Sequence, residues 1–164
     1  MLIGLYNIIE EDVILADTVV IGNFNHIQNN SVIGKNTIIN DYCRVEKDVR
    51  IGANCKFQGY NRIGSNTIIE DNVIVKVYTE VTDGAIIKRG VFLGPSVMFL
   101  GSNLKEKIYG TEIGENVFIG ANCVIGPGIK ICANAIIGAN SFVNRDITTP
   151  GIYVGSPIRF IKHV

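Results

Sequence analysis

The chain is poor in the side chains that metal and acid–base chemistry most often uses. It has two histidines, His26 and His163, in 164 residues. A catalytic zinc held by three histidines therefore lacks its ligands within one chain. There is no excess of either charge, with 15 basic and 15 acidic residues, so neither a nucleic-acid surface nor a basic membrane surface is expected. No stretch is apolar for long enough to span a bilayer, and residues 1–12 show no positive segment followed by an apolar run, which makes the cytoplasm the expected location. The four cysteines include no C-x-x-C pair, so no metal site is expected from them.

What the chain does have is a period. From Ile3 to Phe99 every sixth residue is aliphatic or phenylalanine: Ile3, Ile9, Leu15, Ile21, Ile27, Ile33, Ile39, Val45, Ile51, Phe57, Ile63, Ile69, Val75, Val81, Ile87, Leu93 and Phe99. With 47% of the residues apolar, an unbroken series of that length does not arise by chance. Glycine often follows the apolar residue (Gly22, Gly34, Gly52, Gly64, Gly94), and Asn, Asp or Gly is common two places further on, as at Asn30, Asn36, Asp48, Asn54 and Gly84. These residues tolerate left-handed backbone at tight corners. Two residues before each large apolar side chain stands a small or β-branched one, such as Ser31, Thr37, Cys43, Val49 or Cys55. That spacing sets both on one face of a short extended segment. Cys43, Cys55 and Cys123 occupy this inward slot and are read as core residues.

Each hexad is thus a strand with a corner, too short to bury anything alone, and the hexads must stack into a solenoid. A helix is excluded because a six-residue period scatters round a 3.6-residue turn. The series breaks after Phe99 and resumes at Ile113-Gly114, Ile119-Gly120, Ile125-Gly126, Ile131, Ile137-Gly138 and Val143. The spacing across the break is not a multiple of six, so residues 100–112 (LGSNLKEKIYGTE) contain an inserted loop.

The pattern resembles the hexapeptide-repeat acyltransferases. The resemblance implies an all-β fold, a left-handed parallel β-helix with three hexads per coil, and a homotrimer with its active cleft between subunits. The chain then reads as one domain over residues 1–164, with coils at 1–99 and 113–147, the loop at 100–112 and a C-terminal tail at 148–164. The ending Arg145-Asp146-Ile147, Pro150, Val154-Gly155-Ser156-Pro157, Arg159, Ile161, Lys162 resembles that of the coenzyme-A-dependent members. Gly22-Asn23-Phe24-Asn25-His26-Ile27 and Gly90-Val91-Phe92-Leu93-Gly94-Pro95-Ser96 resemble the nucleotide-sugar N-acetyltransferases of bacterial surface-polysaccharide synthesis. In that group an asparagine after Gly-Pro-Ser acts at the substrate amine; Gly101 stands at the corresponding place, with Asn103 close by.

If a coil is eighteen residues long, residues eighteen apart stack at about 4.8 Å. One corner column then reads Tyr6, Phe24, Tyr42, Tyr60, Tyr78, and the column two places on reads Ile8, His26, Arg44, Arg62, Glu80, Met98. This is either a structural ladder or a nucleotide cleft, in which the aromatics (Phe24, Tyr60, Tyr78) take the base, Arg44 and Arg62 the diphosphate, and Glu80 completes the strip. Acyl transfer from acetyl-CoA needs a polarised carbonyl and an aligned nucleophile. Backbone N–H groups at Gly120-Ala121 are the expected donors to the thioester oxygen, Gly138 and Ala139 would line the pantetheine path, and Arg159 and Lys162 would meet the coenzyme's phosphates. His26 and Asn103 are the candidates for orienting the acceptor. The loop histidine that O-acetyltransferases of this fold place near their acceptor has no counterpart in residues 100–112, which favours an amine acceptor. O-acylation, another acyl-CoA transfer, a zinc enzyme of the carbonic-anhydrase type and a non-enzymatic scaffold are the alternatives.

Overall fold

The computed structural model describes residues 1–101 and 110–163. Every hexad forms a two-residue strand, from Leu2–Ile3 to Phe142–Val143, and no helix occurs among the described residues. The strands stack parallel into three sheets of ten, eight and seven strands, a solenoid of about eight turns consistent with the left-handed β-helix. The first face begins at Leu2–Ile3, the second at Ile8–Ile9 and the third at Ile14–Leu15. Coils are numbered one to eight by their strands on the second face: Ile8, His26, Arg44, Arg62, Glu80, Met98, Val124 and Phe142.

Register follows the expected eighteen-residue coil: His26 pairs with Arg44, Arg62 with Glu80, Ile68 with Ile86. Between coils five and six on the third face the offset grows, because Ile86 pairs with Glu112, 26 residues on instead of 18. Eight residues are therefore inserted, at the corner between the second and third faces of coil six. Residues 102–109 of the expected loop, and with them Asn103, lie outside the described residues.

Two side chains per hexad point inward and together fill one continuous core, for example Val19 with Ile21, Cys55 with Phe57 and Cys123 with Ile125, all at most 1% exposed. At about 25 cal/mol per Å² of buried apolar surface, this stack and the inter-coil hydrogen bonds carry the fold. Burial pushes the Cys43 and Cys55 thiols up to about 11, and Cys123 moves the same way for the same reason. The small inward slot after the aromatic corner is polar in several coils: Asn7 accepts from the Asn25 N–H at 2.8 Å, Asn25 from the Cys43 N–H at 2.7 Å, and Asn61 donates to the Lys76 carbonyl at 2.6 Å.

The tail continues the first sheet. Ile152–Val154 pairs parallel with the coil-eight strand, and Arg159–Lys162 folds back antiparallel against Ile152–Val154. Ile158 is buried, and its N–H donates to the Phe142 carbonyl at 3.0 Å. A chain cut before Pro157 would therefore lose core as well as charge.

Candidate active site

The corner between the first and second faces carries most of the expected site. In coils one to five its left-handed position is aromatic: Tyr6, Phe24, Tyr42, Tyr60 and Tyr78 all have φ between 54° and 60°. Left-handed backbone costs an L-residue with a side chain about 1–2 kcal/mol, and most other corners of the molecule use Asn, Asp or Gly there. The rings follow one another with centroids 4.8–5.0 Å apart; the first four are stacked, and Tyr78 is tilted 30° to Tyr60. From coil six onward the same place is Ser96, Asn122 and Asn140.

The residue just before each of these corners decides what the backbone offers. In coils one and two its N–H is covered by a side chain from the next coil, Leu5 donating to Asn23 Oδ1 at 2.8 Å and Asn23 to Asp41 Oδ1 at 2.6 Å. In coil four Gly59 donates to Asn61 Oδ1 at 3.2 Å, while the Asp41 and Val77 N–H groups meet no acceptor among the described residues. In coils six, seven and eight this column is Pro95, Ala121 and Ala139. Proline has no N–H, alanine has no side-chain acceptor, and the Ala121 and Ala139 N–H groups meet no acceptor among the described residues. The expectation for Gly120 needs correcting here. Its N–H donates to the Ile137 carbonyl and that of Gly138 to the Tyr153 carbonyl, both at 2.8 Å, so neither is free for a thioester. Gly120 is instead a spacer, since a Cβ would stand 2.6 Å from the Ala139 nitrogen.

The six expected cofactor positions, Gly120, Ala121, Gly138, Ala139, Arg159 and Lys162, are set out along one sheet. Gly120 follows the coil-seven strand, Gly138 the coil-eight strand, then come Ile152–Val154 and Arg159–Lys162 in the same sheet. Arg159 and Lys162 are exposed at its end. Open donors at Ala121 and Ala139 and two cations at the sheet's end suit an extended, phosphate-bearing thioester.

The second-face strip is a different environment. His26 Nε2 and Glu10 Oε1 are 2.6 Å apart, and Glu10 also accepts the Asn29 N–H. These hydrogen bonds, from His26 first, hold the Glu10 carboxyl below its usual range. Arg62 is clamped by Glu46 at 2.9 Å and Glu80 at 2.7 Å, with Asp83 at 3.9 Å, while Arg44 lies 3.7 Å from Glu46. The guanidinium expected to meet a diphosphate is thus committed to carboxylates, and the strip carries more acid than base. His26, in coil two, stands five strand spacings from Gly120 in coil seven, about 24 Å along the axis. A trimer whose axis runs along the solenoid keeps equivalent coils level, so a neighbour's His26 gains nothing. The structure does not bring His26 to the Gly120-Ala121 corner.

Sequence reasoning passed over Lys76. It stands in the column Gly4, Gly22, Asn40, Gln58, Lys76, Gly94, Gly120 and Gly138, and the change from small or neutral residues to a cation beside the last aromatic was the available signal. Its ammonium lies 5.6 Å over the Phe92 ring, and no carboxylate pairs with it among the described residues. Phe92 in turn stacks on Phe118 at 4.8 Å. At Gly101, where the resemblance expects an asparagine, a Cβ would crowd Thr82 Oγ1, so a side chain there requires the threonine to turn aside.

Residues 30–65 and 110–145 match the bacterial transferase hexapeptide (six repeats). Together the two segments make up 72 of the 164 residues. Over 52 residues it is 44% identical to the galactoside O-acetyltransferase of Escherichia coli K12, covering 32% of this chain and 26% of that protein. Over another 52-residue alignment it is 46% identical to the chloramphenicol acetyltransferase of Morganella morganii, covering 32% and 25%. The chain thus spans about a quarter of these relatives' lengths. Across 97% of its residues it superposes on the crystal structure of a UDP-N-acetylglucosamine acyltransferase with a TM-score of 0.84 at 19% identity, covering 68% of that chain, a likeness of fold. No group of three or more metal-ligating side chains occurs among the described residues, and no described helix is long and apolar enough to cross a membrane.

Proposed function

We propose that this chain is an acetyl-CoA-dependent N-acetyltransferase acting on the amino group of a nucleotide-linked amino sugar in surface-polysaccharide synthesis. The observation that carries the transferase reading is the run of uncovered donors at Ala121 and Ala139, leading along one sheet to Arg159 and Lys162. The named relatives, acetyltransferases matched over part of their length, support it. In this reading the Ala121 N–H donates to the thioester oxygen. The neutral amine attacks the carbonyl carbon, a C–N bond forms, the C–S bond breaks, and coenzyme A leaves as the thiol with the proton given up by the amine. A sugar amine is less basic than lysine, near 10.4, so a usable neutral fraction exists at pH 7. A hydroxyl would forfeit about 10²–10⁴-fold without a positioned base, and the Gly120-Ala121 corner has no histidine. Glu80, two coils from Ala121, is the acid of the strip nearest the donors, and Asn103 remains a candidate at the amine.

A homotrimer belongs to this proposal. The first face carries an outward strip of Ile74, Phe92, Phe118 and Ile136, with Phe118 43% exposed, and a neighbouring subunit would cover it. Light scattering at micromolar concentration should give three chains.

Because truncation would remove buried Ile158, the test uses charge neutralisation. Arg159→Gln with Lys162→Gln should weaken coenzyme A binding about tenfold or more, at about 1.5–3 kcal/mol per charged hydrogen bond, with an unchanged melting temperature. Unchanged affinity in calorimetry would put the phosphates elsewhere. The relatives that acetylate oxygen by name favour one second reading, a hydroxyl acceptor. Hydroxylamine separates the two, since it cleaves an ester product and leaves an amide.

A further inference from the structure

The aromatic ladder has five rings but only two free faces. Neighbouring rings are 4.8–5.0 Å apart, too close to admit a further ring between them, and the coils cannot separate without breaking their inter-coil hydrogen bonds. Phe24, Tyr42 and Tyr60 are therefore covered on both sides. Exposure agrees: 46–51% for these three, against 73% for Tyr6 and 59% for Tyr78 at the ends. Tyr6 looks out of the solenoid's first coil. The free face of Tyr78 looks into the molecule's own corner, where the next residue in the column is Ser96, exposed and small. Beyond Ser96 comes Asn122, and one residue before Asn122 is the open N–H of Ala121.

We infer that the open face of Tyr78, above Ser96, is a stacking platform for a nucleobase, with the Lys76 ammonium as the phosphate ligand beside it. Lys76 reaches over Phe92, which belongs to the same coil as Ser96, with only Gly94 and Pro95 between that strand and the platform. The cation and the platform thus lie on either side of the short Gly94-Pro95 corner, and the Ser96 hydroxyl and the Asn122 amide are the polar groups next in the column for the base edge. Every base has a π-face, so the stack itself takes any of them. Lys76 replaces Arg62 as the phosphate-binding group, because Arg62 is held by Glu46 and Glu80. The inference rests on the nucleotide part of the proposed function. The base could come from the acceptor nucleotide or from the adenine of coenzyme A, and the test separates them.

Calorimetry on the full chain uses uridine 5′-diphosphate and adenosine 3′,5′-bisphosphate as probes. Tyr78→Ala should weaken the stacked probe about tenfold or more. Ser96→Tyr should block it by adding a sixth ring, in a corner conformation that five aromatics already adopt, with circular dichroism and melting temperature preserved. Lys76→Gln should weaken the diphosphate probe but not uridine alone. Tyr42→Asn, in mid-ladder, should change affinity less than about threefold. Loss confined to the uridine probe assigns the platform to the acceptor; loss confined to the adenosine probe assigns it to the donor; either supports the inference. Neither probe binding the wild-type chain, or full affinity in folded Tyr78→Ala and Ser96→Tyr, overturns it. So does an equal loss in Tyr42→Asn, which would make the ladder structural only. Acetyl-CoA turnover is scored separately by free thiol release, so a platform that binds without turnover would sink the transferase proposal and leave this inference standing.

Discussion

Coils one to five and coils six to eight share one core and one period, yet their common corner differs in kind. In the first group aromatic rings cover the corner, and in coils one and two side chains from the next coil also cap the N–H groups of Leu5 and Asn23. In the second it is bare, with Ser96, Asn122 and Asn140 where the rings stood and Pro95, Ala121 and Ala139 where the caps were. Repetition secures the fold and leaves the outward and corner positions free to vary. The transition falls at Tyr78 and Ser96, and the inserted loop leaves the solenoid in the coil to which Ser96 belongs.

The largest expected effect tests what the two regions share. Ile63→Ala in coil four and Ile137→Ala in coil eight each remove a side chain that is 0% exposed, and each should cost about 2–5 kcal/mol. Urea unfolding should show one transition in both variants. A second transition appearing only in Ile137→Ala would mean that the bare coils unfold as a separate unit, as stacked repeats can.

A smaller effect should separate the regions. Asn61 fills the inward slot of coil four, donating to the Lys76 carbonyl and accepting from the Gly59 N–H at 3.2 Å. Asn61→Val gives it the residue type that coil six already has at Val97, but strands those two backbone groups, at about 1–3 kcal/mol. Cys123→Ala, in the same slot of coil seven, removes only a thiol lying 3.1 Å from the Gly138 carbonyl and should cost less. Equal losses in thermal melts would show that the polar slots are no more than packing. Asn61→Val should also weaken phosphate binding, because Asn61 holds the backbone from which Lys76 projects.

Much of this was legible in the sequence because a period of six fixes which side chains point inward, and a coil of eighteen fixes which residues stack. The ladder from Tyr6 to Tyr78 and the buried cysteines followed from counting. Counting gives columns, but it does not say where a hydrogen bond goes. It could not show that the Gly120 N–H is spent on Ile137 while the Ala121 N–H is open, since both belong to one corner. Nor could it show that Arg62 is clamped: Glu46 lies sixteen residues earlier, off the eighteen-residue column, and meets Arg62 only because both side chains lean across the face. The tail escaped for another reason. Its fold-back against Ile152–Val154 is antiparallel and bulged, and no hexad signals it.

The smallest expected effect tests why aromatics occupy a left-handed corner at all. Tyr42 has φ 60°, which costs about 1–2 kcal/mol for a side chain of its kind. Stacking on Phe24 and Tyr60, at 5.0 and 4.8 Å, returns about 0.5–1.5 kcal/mol for each pair. Asparagine relieves much of the strain, as it does at Asn122, and loses both stacks. The two terms nearly cancel, so Tyr42→Asn should shift stability by less than about 1 kcal/mol in either direction, read from urea midpoints at constant slope. Such neutrality would mean that stability does not explain the rings, and that the reason for the ladder lies at its open end, on Tyr78. A loss above about 2 kcal/mol would mean instead that stacking dominates, and that the first five coils are closed because the ladder holds them together.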